Sequence, residues 1–583
     1  MAYPDFEPNY DRFPETRIEG FDEEAFEGWA GVGAAIVRAM AVRGGRVLVV
    51  DCYPGIRDVE VLAEIERVWK PNLTIDTTCI FYPGDELTRL MARNLTTDRV
   101  RGNMYYGTVS DFIDPALLAE AQAKIAAEAG RVLVYGVAAS LVCSGDLLVY
   151  ADMARWEIQR RYRAGMPNYK QDNGCEDILR KYKRGYFVEW RVADRHKSTL
   201  YGSIDFYLDT NTAGTPRMVT GEAFRAGLRH LAHAPFRLVP YFDPGIWGGQ
   251  WMRRVCRLPD GPDNYAWCFD GVPEENSVYL RFGNVRIESP AMNLTKYLPV
   301  EFLGEKTFAR FGAECPIRFD LLDTMGGQNL SLQVHPMTEY IHERFGMAYT
   351  QDESYYILDA EPGACVYLGL REGIDRQAMI DGLEVAQEGG APFDADRFVG
   401  RWPAKAHDHF LIPAGTVHCS GAGCMVLEVS ATPYIFTFKL WDWNRLGTDG
   451  LPRPIHIQDG SKVIRWDRTT GWVRENLVDR FECLSETPAA TVVHTGLHEL
   501  EFIETHAIEI RTGYTARADG EFAMLNLVEG REAIIESPTG AWEPYRVHYA
   551  ETFIVPAAAG DYLIRPSEGL ASVKVLQAKV RAN

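Results

Sequence analysis

The sequence changes character near residue 235, and that change forbids a single repeating architecture. Upstream, Val-rich apolar runs bounded by glycine alternate with helix-like stretches, notably RVLVVD at 46–51 and RVLVYG at 131–136. Runs of this kind, without polar alternation, suit strands covered on both faces of a parallel sheet. Between them, Asp114 and Pro115 supply an N-cap and a first-turn proline for a helix predicted to reach Ala129. Downstream, short β-branched and aromatic segments are punctuated by PGIWGG, MGGQN, AEPG and SGAG, the texture of a β-barrel or sandwich. One helix is predicted there, over 375–387, ahead of Gly389 and Gly390. At roughly 150 residues per domain, 583 residues admit about four units. The pattern divides them into an open α/β domain at 1–232, a β domain at 233–478 with a helical insertion near 372–400, and a smaller β domain at 479–583.

Asp and Glu number 81 against 61 Lys and Arg, a net charge of −20, so the overall field repels polyanions and excludes nucleic acid as an expected partner. A small anion in a locally cationic pocket is compatible with that field. The 11 cysteines form no CxxC pair, which points away from a disulfide framework and toward a reducing compartment. The opening MAYPDFEPNYDRFPE lacks the basic and apolar regions of a secretory signal, and no run of eighteen apolar residues is present. A cytoplasmic chain with no membrane partner is expected; nothing in the sequence specifies an oligomeric state.

The chemistry concentrates in NLSLQVHP, where Ser331, Gln333 and His335 alternate with Leu332 and Val334 and so share one face of a strand. Glu353 follows at the head of ESYYIL, and His418 lies in FLIPAGTVHCSG, after a Pro/Gly turn that would swing its strand back across the domain. Two imidazoles, a carboxylate and an amide oxygen form a mixed N/O set suited to Zn²⁺ or another first-row divalent ion. By residue type alone, histidines and glutamates on strands are as readily packed or solvated as metal-bound.

The succession GIWGGQW (245–251), LSLQVHP (330–336), ESYYIL (353–358), FLIPAGTVHCSGAG (410–423) and RPIHI (453–457) resembles class I mannose-6-phosphate isomerase. The resemblance covers about residues 235–475. It implies two cupin β-barrels with a helical insertion, one zinc ion per chain held by Gln333, His335, Glu353 and His418, and interconversion of mannose 6-phosphate and fructose 6-phosphate through an enediol. By the same resemblance, Glu428 in VLEVS is the acid–base candidate, with a rim salt bridge as the alternative. Lys439 stands near the family's active-site arginine, where it could hold phosphate or stabilise the enediolate. Gln351 stands where the family has a lysine, so a different aldose–ketose substrate remains a reading, as does a metal-bearing sugar sensor without turnover. Ser331 could bond a sugar hydroxyl, Trp247 could wall the sugar ring, and Arg445 could add charge for the phosphate; structural bonds, packing and surface exposure are the respective alternatives. His407 and His409, N-terminal to the His418 turn, are expected outside the ligand set.

The N-terminal order of strands and helices broadly resembles a nucleoside-kinase-type P-loop domain, but GWAGVGAAIV contains no GK[ST]. A degenerate domain is expected, with Asp51 as a surface carboxylate and Arg160, Arg161 and Arg163 as a solvated helix face. The second β domain repeats the strand–turn–strand pattern in YAETFIVPAAAGDYLI without a histidine and is expected to lack metal ligands.

Overall fold

The structure, a computed structural model, describes residues 6–431, 436–446, 453, 455–496 and 498–581. Pro454 of RPIHI and the first five residues of the N-terminal stretch lie outside the described residues. The chain forms two compact units. One comprises Glu15–His230 and Ser277–Tyr297; the other comprises Met1–Pro14, Leu231–Asn276 and Leu298–Asn583. The boundary expected at 232 is thus not a single cut. The hairpin Ser277–Phe282 and Val285–Pro290, assigned on sequence to the metal-binding domain, belongs to the α/β unit because its first strand pairs in parallel with Glu15–Arg17.

In the α/β unit, a seven-stranded sheet runs in the order Ala25–Glu27, Arg217–Thr220, Phe206–Asp209, Leu147–Asp152, Val47–Cys52, Val132–Gly136, Leu73–Asp76. The last five are mutually parallel. Both Val-rich runs are buried along their whole length, which is why their sequences show no polar alternation. The predicted helix spans Pro115–Ala127, and the Asp114 carboxylate accepts from the backbone N–H groups of Ala116 and Leu117. Two expectations fail here. Asp51 is fully buried, accepting from the N–H groups of Ala138 and Ser140 and from the Ser140 hydroxyl, with His196 Nε2 at 2.8 Å. Arg161 is buried as well, its guanidinium bonded to Glu157 and to the carbonyls of Gly55 and Thr210. In both cases local partners satisfy the charge that a sequence reading sends to solvent.

The other unit is mainly β. A six-stranded sheet runs His409–Ile412, Asp352–Ala360, Cys424–Ala431, Arg318–Asp323, Trp267–Gly271, Tyr241–Asp243. A five-stranded sheet runs Val399–Pro403, Cys365–Leu370, His418–Ser420, Leu332–Val334, Phe438–Trp441. The inserted helix, Arg376–Gln387, is capped by Asp375. Toward the C-terminus, sheets of six and four strands enclose a core that includes Ile508, Leu525, Phe553, Ile564 and Val575. A buried network joins the start of the unit to its end: Arg237 lies 2.7 Å from Glu551, and Asp270 accepts from the Tyr10 hydroxyl and the Thr552 N–H.

Candidate metal centre

Gln333 sits in the strand Leu332–Val334, and His335 follows two residues on, so both project from the face opposite Leu332 and Val334. Antiparallel register sets Gln333 opposite His418 on one side and opposite Lys439 on the other, placing four polar side chains on one face of the five-stranded sheet. In the six-stranded sheet, Glu353 and Tyr355 share a face; Tyr355 pairs with Glu428, which pairs in turn with Asp320. The two groups meet at Glu353, whose Oε1 lies 2.7 Å from His418 Nε2 and 3.1 Å from His335 Nε2. All three side chains are completely buried.

The ring orientations decide what this cluster can hold. His418 Nδ1 lies 2.8 Å from the Thr416 carbonyl, and His335 Nδ1 lies 3.1 Å from the Phe436 carbonyl. A carbonyl only accepts, so each Nδ1 carries a proton, and in its neutral form each ring turns a lone pair on Nε2 toward Glu353. Burial lowers the His418 pKa, which favours that neutral ring. The Gln333 amide nitrogen, 3.3 Å from His418 Nε2, donates to the same lone pair. Among the described residues, Glu353 Oε1 and His335 Nε2 have no hydrogen-bond partner. Burial opposes ionisation of Glu353, while the two rings, when protonated, draw its carboxyl well below the usual range. Two imidazole nitrogens and a carboxylate oxygen therefore converge in a dry site with electron pairs facing one another, a donor set that fits a divalent first-row cation.

A second carboxyl adjoins the cluster. Burial, with the charges of Glu353 and Asp320, raises Glu428 well above the usual carboxylate range, a shift that favours its protonated form. The Gln351 amide nitrogen bridges the two acids, 3.0 Å from Glu353 and 3.5 Å from Glu428, while its oxygen accepts from the Phe436 N–H. Next along the face is Arg318, buried and bonded to Asp320 at 2.6 Å, with Nε and Nη1 unpartnered; Asp320 Oδ1 is unpartnered too. Sequence reasoning missed Arg318 and Asp320. Their signal was the charged alternation at the head of IRFDLLD, where Arg318 and Asp320 flank Phe319 ahead of two leucines.

The remaining candidates are placed elsewhere. The Ser331 hydroxyl donates to Asp442, which also binds Arg445 at 2.7 Å and Arg453 at 2.8 Å, so the serine and the two half-buried arginines are all engaged by one carboxylate. Trp247 is buried with its ring edge-on to Trp267. His409 lies 2.8 Å from Ser354 and His407 contacts the Tyr356 hydroxyl; Ser354 and Tyr356 occupy the face of their strand opposite Glu353, so both histidines stand outside the cluster. The closing β domain, expected to lack ligands, does bring His494, Glu504 and His506 together. Lys579 faces Glu504 across the strand pair and, with Arg581, adds positive charge that opposes a cation there.

A family model described only as a domain of unknown function (DUF8485) matches residues 28–233. The chain is 30% identical over 234 residues to the probable mannose-6-phosphate isomerase GmuF of Bacillus subtilis, covering 40% of this chain and 68% of that protein. It is 23% identical over 337 residues to mannose-6-phosphate isomerase ManA of the same organism, covering 57% and 93% respectively. The match to mannose-6-phosphate isomerase of Streptococcus mutans is 27% identical over 223 residues and spans 64% of that protein. The crystal structure of the Bacillus subtilis mannose 6-phosphate isomerase superposes with a TM-score of 0.47 at 18% identity, covering 60% of this chain and all of that one. With 30% identity across more than two thirds of the GmuF length, the chain belongs to the mannose-6-phosphate isomerase family.

Proposed function

We propose that this protein is a metal-dependent aldose–ketose isomerase acting on mannose 6-phosphate and fructose 6-phosphate, its two sheets forming the first of two cupin barrels. The observation that carries the reading is the convergence of His335 Nε2, His418 Nε2 and Glu353 Oε1 in a fully buried site beside Glu428. His335, Glu353 and His418 would hold the ion, with the Gln333 amide oxygen as the fourth ligand once that amide is turned end for end from its present hydrogen bonds. When bound, a divalent ion polarises the sugar carbonyl and stabilises charge developing on the adjacent oxygens. Glu428 would exchange protons with the sugar: it gives one to the carbonyl oxygen and takes the C2 proton as the enediol forms, then gives one to C1 and takes the O2 proton as the ketose forms. Gln351 keeps Glu428 and Glu353 apart and oriented. Arg318, with two unpartnered donor positions, and Lys439 supply positive charge on opposite sheets for a phosphate or an enediolate.

Gln351 favours a second reading, an isomerase of another sugar or sugar phosphate, because a neutral amide occupies the place between the two acids where a lysine would add charge. A coupled assay over a panel of phosphorylated and unphosphorylated aldoses, run with elemental analysis, tests both. Turnover of mannose 6-phosphate with about one metal per chain is the expected result; saturable sugar binding without turnover of any aldose would overturn the enzyme reading. For residues 28–233, the parallel strand order supports a kinase-like sheet without a phosphate loop, and for 479–583 the two stacked sheets support a second cupin.

A further inference from the structure

The α/β unit contains a cavity of about 420 Å³ that plays no part in the isomerase reading. It opens beyond the carboxyl ends of the parallel strands Leu147–Asp152 and Phe206–Asp209, the end of an open α/β sheet where ligands bind. Four arginines line it: Arg57, Arg160, Arg217 and Arg286, against the carboxyls of Glu157 and Glu288.

These arginines have more donors than the cavity has acceptors. Glu157 is committed to the buried Arg161 at 2.9 Å and meets Arg57 and Arg160 only at 3.4 and 3.5 Å. Arg57 Nη1 is buried with no partner. Arg217 is steadied from outside by Glu27 at 2.9 Å, while Arg286 lies over the Tyr279 ring at 4.2 Å and reaches Glu15 only at 4.0 Å. Glu288 accepts from the Ser277 hydroxyl and the Trp156 indole N–H, both on one oxygen. Several guanidinium forks thus face one space with Trp156 and Tyr279 among its walls, in a chain whose net charge is −20. Guanidinium forks match phosphate oxygens in pairs. One phosphate would engage one or two of the four arginines, whereas two linked phosphates can engage all of them.

We infer that this cavity binds the diphosphate group of a small molecule, at a site separate from the metal centre. Arg160, expected on sequence to be solvated, is one arm of that site.

The test is calorimetric titration of the full chain with inorganic pyrophosphate, orthophosphate and ADP at fixed ionic strength, repeated on Arg160→Glu and Arg286→Glu. Pyrophosphate is expected to bind once per chain, orthophosphate about tenfold or more weakly, and each variant to lose about tenfold or more in pyrophosphate affinity with an unchanged melting midpoint. ADP binding more tightly than pyrophosphate supports a nucleotide stacked on the aromatic walls; equal binding supports recognition of the diphosphate group alone. No saturable binding of pyrophosphate, or the same affinity in both folded variants as in the parent, overturns the inference.

Discussion

Replacing Glu353 by Gln should change sign in its effect on stability according to whether metal is present. With metal, the substitution removes the only anionic ligand of the cluster. A ligand that binds only the folded state stabilises it by RT ln(1 + [L]/Kd), about 4 kcal/mol at a thousandfold excess over Kd. For a unit of about 350 residues, at roughly 2.1 cal/mol/K per residue, each kcal/mol moves the melting midpoint by roughly 1.5 °C, so losing the ion should lower the midpoint of the β unit by on the order of 6 °C. Without metal the same change should be neutral or stabilising. In the parent, the Glu353 carboxylate faces imidazole lone pairs at 2.7 and 3.1 Å, whereas a glutamine amide can donate to one of them, a gain of about 1 kcal/mol. The assay is a four-way thermal comparison of parent and variant, with zinc and with chelator, alongside elemental analysis. If chelator leaves the parent midpoint unchanged and the variant is equally destabilised in both conditions, the reasoning is refuted. Glu353 would then serve a plain buried ion pair with protonated histidines, whose rupture costs about 3–5 kcal/mol with or without metal.

Glu428→Gln should lower kcat by about 10²- to 10⁴-fold while leaving bound metal unchanged by elemental analysis; loss of the metal itself would return Glu428 to a structural role. Arg318→Met should raise KM for a phosphorylated sugar more than for its unphosphorylated counterpart, and equal effects on both would remove Arg318 from phosphate recognition. In the α/β unit, burial and the neighbouring Asp209 raise the Glu288 carboxyl to about 7, so the folded state holds a proton that the unfolded chain gives up at lower pH. Stability should therefore fall as pH rises from about 4.5 to 7 and level off above that, by at most about 3 kcal/mol for this group; a Glu288→Gln variant with the same pH slope in urea unfolding would exclude Glu288 as its source. Asp114→Ala, which removes the cap of Pro115–Ala127, should cost about 1 kcal/mol in the same assay, and no change would mean the cap is not limiting.

Much of this molecule was legible in local pattern. The Val-rich runs announced buried parallel strands, Asp114–Pro115 and Asp375 announced helix starts, and the alternation in NLSLQVHP put Gln333 and His335 on one face, because backbone periodicity and capping act over a few residues. The fate of charges was not legible. Asp51, Arg161, Arg318 and Asp320 read as solvent-facing or went unnoticed, yet each is buried: Asp51 meets His196 from 145 residues away, while Arg161 pairs with Glu157 in its own helix and Arg318 with Asp320 in its own strand. Ser331 and Arg445 were candidates for substrate until tertiary structure turned both, together with Arg453, toward Asp442.

By itself, the sequence determined which side chains could serve as metal donors and which stretches would be strand or helix, since both depend on residue chemistry and local backbone geometry. Only the tertiary structure decided that Glu353, 18 residues from His335 and 65 from His418, presents one oxygen to both rings. That convergence depends on strand register across two sheets, and register is set by the packing of the whole unit rather than by any segment within it.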